Sequence, residues 1–163
     1  MAIRKIVKKG DDVLTKKCRP VEVFDNRLAQ LINDMIDTLK EANGVGLAAP
    51  QVGILKRIAV VDTGDRILEL VNPEIISKEG VQKNIEGCLS LPDVYCLTER
   101  PKKVTVRAYD RKGELHEYTG EDLIARAFCH EIDHLDGIVL TDVYEPLTEE
   151  ELDELLQEDG QKE

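Results

Sequence analysis

The chain has 163 residues, with 33 acidic against 22 basic side chains and a net charge of -11. So acidic a chain offers no basic face for phosphate contacts, so direct nucleic-acid binding is not expected, nor is attraction to an anionic membrane. With 42% hydrophobic and 34% charged residues it reads as an ordinary globular protein, expected to form one domain over residues 1–163.

The first segment, MAIRKIVKKGDDVL, has no apolar run long enough for a signal peptide, and no later stretch is long enough for a membrane span. A reducing cytosol is therefore the expected compartment. Cys18, Cys88, Cys96 and Cys129 show no CxxC pairing, which predicts thiols or a metal thiolate rather than disulfides.

Along the chain, residues 25–43 carry the clearest helical pattern. Leu28, Leu31, Ile32, Met35, Ile36 and Leu39 recur at helical spacing, Asp25 is placed to cap the start, and Asn43-Gly44 to close the end. That stripe is a core face. The following GVGLAAPQVG (44–53) has glycines in the wrong places for a phosphate loop and no following lysine. Its small side chains leave two readings, a tight turn or the close wall of a cleft.

A strand-rich middle comes next. ILKRIAVV (54–61), a turn at Thr63-Gly64-Asp65, and RILELVN (66–72), stopped by Pro73, read as paired strands. KVTVRAYD (103–110) and ELHEYT (114–119) around Arg111-Lys112-Gly113 read as a hairpin. A second helix is predicted to begin near Thr119–Asp122, with Thr119 and Asp122 at capping-box spacing, and to stop at Gly137. A short third helix is predicted from Thr148, with Glu151 completing its cap and Leu152, Leu155 and Leu156 along one edge. The tail after about Glu158 is expected to fray. Strands grouped between helices predict an α+β fold, with mixed or antiparallel strands packed around a central helix and with N-terminal and short C-terminal helices.

That central helix carries the chemistry. In His130-Glu131-Ile132-Asp133-His134 two histidines lie four apart, so both imidazoles share one helix face and can reach one metal ion. Glu131 then sits beside the open position as a base. A hydrolytic site of this kind needs a third ligand. Downstream, Asp136 is too close to fold back, which leaves Asp142, Glu145 and the acids of the tail. Upstream, Cys88 in NIEGCLSLPDV follows Gly87 at the end of an extended segment and offers a thiolate. Cys18, Cys96 and Cys129 read as packing and His116 as a solvent or packing residue. Cysteine with two histidines suits zinc. A metallopeptidase, an aminopeptidase or endopeptidase of HExxH type, remains open at this point, as does a closed structural metal. An intact Glu131 argues against the structural site.

The ordered set GVGLAAPQ (44–51), EGCLS (86–90) and HEIDHLDG (130–137) strongly resembles peptide deformylase, across most of the chain. The resemblance implies a metal-dependent hydrolase that removes the formyl group from the formyl-methionine of new polypeptides and releases formate. Cys88, His130 and His134 would hold one divalent ion per chain, ferrous iron natively, with zinc, nickel or cobalt able to occupy the site. Glu131 would be the acid/base, and Gln51 and the backbone N–H of Leu89 would face the developing oxyanion. Val45, Gly46, Gly87 and Leu89 would bind an extended peptide through backbone groups, and Leu123 and Ala127 would line a methionine pocket, with Arg126 at its border or paired with a surface acid. Glu86 with Arg100 would brace the cysteine segment, and Asp133 would orient a ligand or loop. Formylated initiation places such an enzyme in bacterial cytoplasm or its organelle descendants. Transient ribosome contact is also implied, although TEEELDELLQEDGQKE is short and acidic for that purpose. Cys129 stands where many members have glutamine.

Overall fold

The computed structural model describes residues 2–162, with side chains as far as Glu158. A 17-residue helix, α1 (Asn26–Ala42), begins where Asp25 accepts a hydrogen bond from the Leu28 N–H at 3.0 Å and ends at Asn43 in left-handed conformation. The two side-chain signals read from sequence therefore set both ends. The chain then forms β1 (Gly46–Ala48), a 3-10 turn (Ala49–Val52), β2 (Ile58–Asp62) and β3 (Ile67–Glu79). After the hairpin β4 (Gln82–Cys88) and β5 (Leu91–Arg100) come β6 (Lys103–Tyr109), β7 (Leu115–Glu121), α2 (Leu123–Leu135), α3 (Leu140–Val143) and α4 (Glu149–Lys162).

A five-stranded sheet runs β1-β2-β3-β6-β7, every pairing antiparallel, and β4-β5 form a separate two-stranded sheet. The mixed fold, an antiparallel sheet with flanking helices, is thus the architecture. β2 explains the layering. Its residues alternate in direction, so Ile58 and Val60 pack with the α1 stripe of Leu28, Ile32 and Met35, while Ala59 and Val61 pack with Ala125, Phe128 and Ile132 of α2. A strand covered on both faces needs a continuous apolar run, and IAVV supplies one. Among the described residues no helix is long and apolar enough to cross a membrane. All four cysteines are free.

Three boundaries differ from those read in the sequence. Pro73 does not stop β3. Asn72 adopts φ 52° and the pairing with β6 shifts between Val71 and Glu74, so the proline, which has no N–H to give, falls in a bulge and the strand continues to Glu79. Residues 54–57 precede β2, because the 3-10 turn closes at left-handed Gly53 and Ile54 donates back to Ala49. Thr119 does not cap α2. It lies within β7, its hydroxyl 2.8 Å from that of Thr105, and α2 starts after Asp122, which makes no side-chain cap. The last helix, α4, is Glu149–Lys162. Its start is as read, with Thr148 and Glu151 exchanging hydrogen bonds.

Asn72 does more than bend a strand. Its side chain accepts from the Val21 N–H at 2.8 Å and donates to the Val21 carbonyl at 2.9 Å, tying the N-terminal segment to the sheet. Asn72→Ala removes both bonds and puts a side chain ill-suited to positive φ at the bulge, so a loss of about 2–3 kcal/mol is expected in denaturant unfolding. A loss below about 0.5 kcal/mol would show that the bulge does not depend on this residue.

Candidate active site

The excursion between β3 and β6 delivers Cys88 to α2. Its Sγ lies 3.3 Å from His134 Nε2, and one ligand atom each from Cys88, His130 and His134 lie within 4.8 Å of one another. The histidine rings, one turn apart on α2, meet edge to face with centroids 5.0 Å apart. One soft and two borderline donors around a single point can hold one divalent ion. The surroundings fit that use. His130 Nδ1 is 2.9 Å from Glu86 Oε1, which leaves its Nε2 for the cluster, in the carboxylate–histidine arrangement common at metal sites. His134 is 1% exposed and its Nδ1 has no partner among the described residues.

Glu86 is the hub behind the histidine. Arg100 Nη2 and Nε donate to its two oxygens at 3.0 and 3.2 Å, and the Thr98 hydroxyl donates at 2.6 Å. Arg100 Nη1 reaches on to Asp133 Oδ2 at 2.9 Å. Burial alone would raise the Glu86 pKa, but the bonds from His130, Arg100 and Thr98 hold it down at about 2. Arg100 is buried too, and Glu86 followed by Asp133 keeps it firmly charged. Cys129, next to His130, packs in the core with Phe128 and Ile132, and burial raises its thiol pKa.

Glu131 is 3% exposed, and its Oε1 has no hydrogen-bond partner among the described residues. Burial raises its carboxyl to about 7, against the opposing pull of His130. Gly46 makes room for it, since a Cβ there would fall 2.5 Å from Glu131 Oε2. Without any ion, the same carboxylate, with Cys88 and Glu86, outweighs burial and raises the His130 pKa well above the imidazole range. His134, governed by burial and then by the charge of His130, drops to about 3.

Gln51 is 1% exposed and fixed at both ends of its amide: Oε1 accepts from the Ala48 N–H at 3.0 Å, and Nε2 donates to the Ser90 hydroxyl at 3.2 Å. Nε2 also lies 3.7 Å from Cys88 Sγ. Gln51, Cys88, His130 and Glu131 line a cleft of about 610 Å³ that also includes Gly87, Leu89, Leu123 and Ala127. β1 is an edge strand of the sheet. The Asp62 N–H donates to the Val45 carbonyl at 2.7 Å, so by antiparallel alternation Gly46, paired with Val61, turns both its N–H and C=O away from β2. Val45 therefore has its carbonyl engaged while Gly46 has two free backbone groups. Gly87 lies against the Tyr95 ring, where a Cβ would come within 3.0 Å. Leu123 is 47% exposed on the cleft wall, and Ala127 is buried behind it.

The polypeptide deformylase family model matches residues 3–150. The chain belongs to that family. It is 55% identical over 144 residues to peptide deformylase 2 of Clostridium acetobutylicum, covering 88% of this chain and 96% of that protein. A crystal structure of a peptide deformylase from Legionella pneumophila superposes with TM-score 0.85 at 43% identity, covering 98% of each chain. The Met-Ala-Ser-bound class I type b peptide deformylase from Acinetobacter baumannii gives TM-score 0.81 at 35% identity, over 86% of this chain and 98% of that one.

Two of the downstream acids weighed as third ligands are engaged elsewhere. Asp136 pairs with Arg57 at 3.0 Å and Asp142 caps α3 through the Val139 N–H. His116 is 2.8 Å from Asp110 and stacks on Tyr118, away from the site. Sequence reasoning missed Ser90 and Thr98, which hold Gln51 and Glu86, because a lone hydroxyl leaves no periodic signal. It also missed the N-terminal segment, where Lys8 lines the cleft. Anaerobically purified protein is expected to contain one divalent ion per chain and Cys88→Ala essentially none. Stoichiometric metal in that variant would remove Cys88 from the ligand set.

Proposed function

We propose that the chain is a metal-dependent amide hydrolase of one catalytic domain that removes the formyl group from the N-terminal formyl-methionine of newly synthesised polypeptides. The observation that carries this reading is the Cys88–His130–His134 cluster beside the buried Glu131 carboxyl, on a cleft with a free strand edge at Gly46. We assign Cys88, His130 and His134 as the ligands, which makes α2 the central metal-binding helix, and ferrous iron as the natural ion, with zinc, nickel or cobalt as substitutes. The ion supplies Lewis-acid polarisation and water of lowered pKa.

The chain's own groups do the rest. Glu131 takes the proton of the attacking water as its oxygen adds to the formyl carbon. Charge gathers on the formyl oxygen, where Gln51 Nε2 and the Leu89 N–H donate. Glu131 then gives its proton to the amine nitrogen as the C–N bond breaks, and formate and a free methionine terminus result. Burial, which raises the Glu131 carboxyl to about 7, suits a group that first takes a proton and then gives it back.

The peptide lies extended between Gly46 on one side and Gly87 and Leu89 on the other, adding a strand to β1. Val45 contributes its side chain, its carbonyl being bound to Asp62. Leu123 and Ala127 form part of the methionine wall, and the bound side chain covers the exposed Leu123. Such an enzyme works in bacterial cytoplasm on nascent chains, with transient ribosome contact and without nucleic-acid or membrane binding.

Release of formate from formyl-Met-Ala-Ser by metal-loaded protein tests the reading. Turnover is expected, and Glu131→Gln is expected to keep the metal while losing about 10²–10⁴ in kcat. No formate at full metal loading would refute the activity, and a Glu131→Gln variant within about tenfold of the parent would refute the role of the base.

A further inference from the structure

The two donors assigned to the oxyanion lie on separate pieces of the fold. Gln51 belongs to the 3-10 turn after β1, and Leu89 to the turn joining β4 to β5. The direct polar ties between the two segments in this region run from Gln51 Nε2 alone, to the Ser90 hydroxyl at 3.2 Å and to Cys88 Sγ at 3.7 Å. Their spacing therefore calls for another support.

Three consecutive residues near the N-terminus supply it. The Val7 N–H donates to the Gln51 carbonyl at 2.7 Å. The Lys8 ammonium donates to the Leu89 carbonyl at 3.1 Å. The Lys9 N–H donates to the Ser90 carbonyl at 2.9 Å, and its ammonium donates to the Thr141 hydroxyl at 2.7 Å. The segment is anchored behind as well. The Ala2 N–H and Arg4 Nε each donate to Asp34 at 3.0 Å, and the Arg4 N–H donates to Thr38 at 2.8 Å, all on α1.

We propose that Val7–Lys9 form a positioning strap that sets the separation of the Gln51 and Leu89 donors, with Lys8 as its positioning side chain. The strap pins one carbonyl at Gln51 and two successive carbonyls just beyond the Leu89 N–H, which fixes where both donors point. Misplacing such donors slows the chemical step more than it weakens substrate binding, because their bonds to the formyl oxygen strengthen as charge develops there. Lys8 also lines the cleft, so direct substrate contact is the competing role, and it has a different kinetic signature. The inference rests on the oxyanion assignment of Gln51 and Leu89 made above.

The test is steady-state kinetics of the metal-loaded full chain on formyl-Met-Ala-Ser, with Lys8→Met, Lys8→Arg and, as a control on the assignment, Gln51→Ala. Lys8→Met is expected to lower kcat about fivefold with KM within about twofold of the parent, the size of one partly exposed charge-assisted bond. Lys8→Arg, which keeps a donor and its charge, is expected to recover kcat to within about twofold. The Leu89 amide resonance is expected to move in Lys8→Met and to return towards the parent position in Lys8→Arg. Unchanged kcat in Lys8→Met, a change confined to KM, or no recovery in Lys8→Arg would overturn the strap. If Gln51→Ala is slow while Lys8→Met is not, the strap alone falls. If Gln51→Ala keeps full kcat, the oxyanion assignment falls and the strap with it.

Discussion

The pairing of Glu86 with Arg100 is the interaction on which the site depends. It joins β4 to β5, and through His130 and Asp133 it joins that hairpin to α2. An ion pair so little exposed gives up much of its hydration, and it holds only because its oxygens and nitrogens are nearly all engaged. Glu86 accepts from Thr98, Arg100 and His130, and Arg100 spends a remaining nitrogen on Asp133. The arrangement does two jobs at once. It turns the His130 ring so that Nε2 faces the cluster, and it holds the strand end from which Cys88 reaches His134. The small apolar cluster of Leu91, Cys96 and Leu140 joins the hairpin to α3 and not to α2, so it cannot replace that pairing.

A second constraint comes from the sheet. Glu131 is buried because β1 passes directly over it, and β1 passes so close because residue 46 is glycine. Burial lifts the carboxyl towards neutrality, and the same strand, lying at the sheet edge, turns the backbone of Gly46 towards the cleft. In the proposed mechanism, base strength and peptide recognition would both follow from that one packing contact. A substrate bound at the edge necessarily lies within reach of the base.

How much of this was legible in the sequence varies with the kind of signal. α1 was readable in full, because its stripe, its Asp25 cap and its Asn43 stop are all local. The histidine pair and Glu131 were readable from helical spacing alone, whereas Cys88 emerged as a ligand candidate only beside them and was singled out through the ordered motifs. Pro73 misled because a bulge at Asn72 accommodates it, and Thr119 misled because cross-strand pairing outweighs a capping pattern. Leu123 and Ala127 reach the cleft wall as the helical spacing required. The Val45 carbonyl does not, since antiparallel alternation, invisible before the register is known, commits it to Asp62. The N-terminal segment was silent for the same reason, its bonds being made mainly through backbone groups that any residue carries.

The central claim is that Glu86 builds the metal site from behind. Its direct test is the metal dissociation constant of Glu86→Gln against the parent, measured anaerobically by competition with a chromophoric chelator, with circular dichroism to confirm the fold. The amide keeps the shape and loses the charge that orients His130 and neutralises Arg100, so binding is expected to weaken about 10–100-fold. An affinity equal to that of the parent, in a folded variant, would contradict the account.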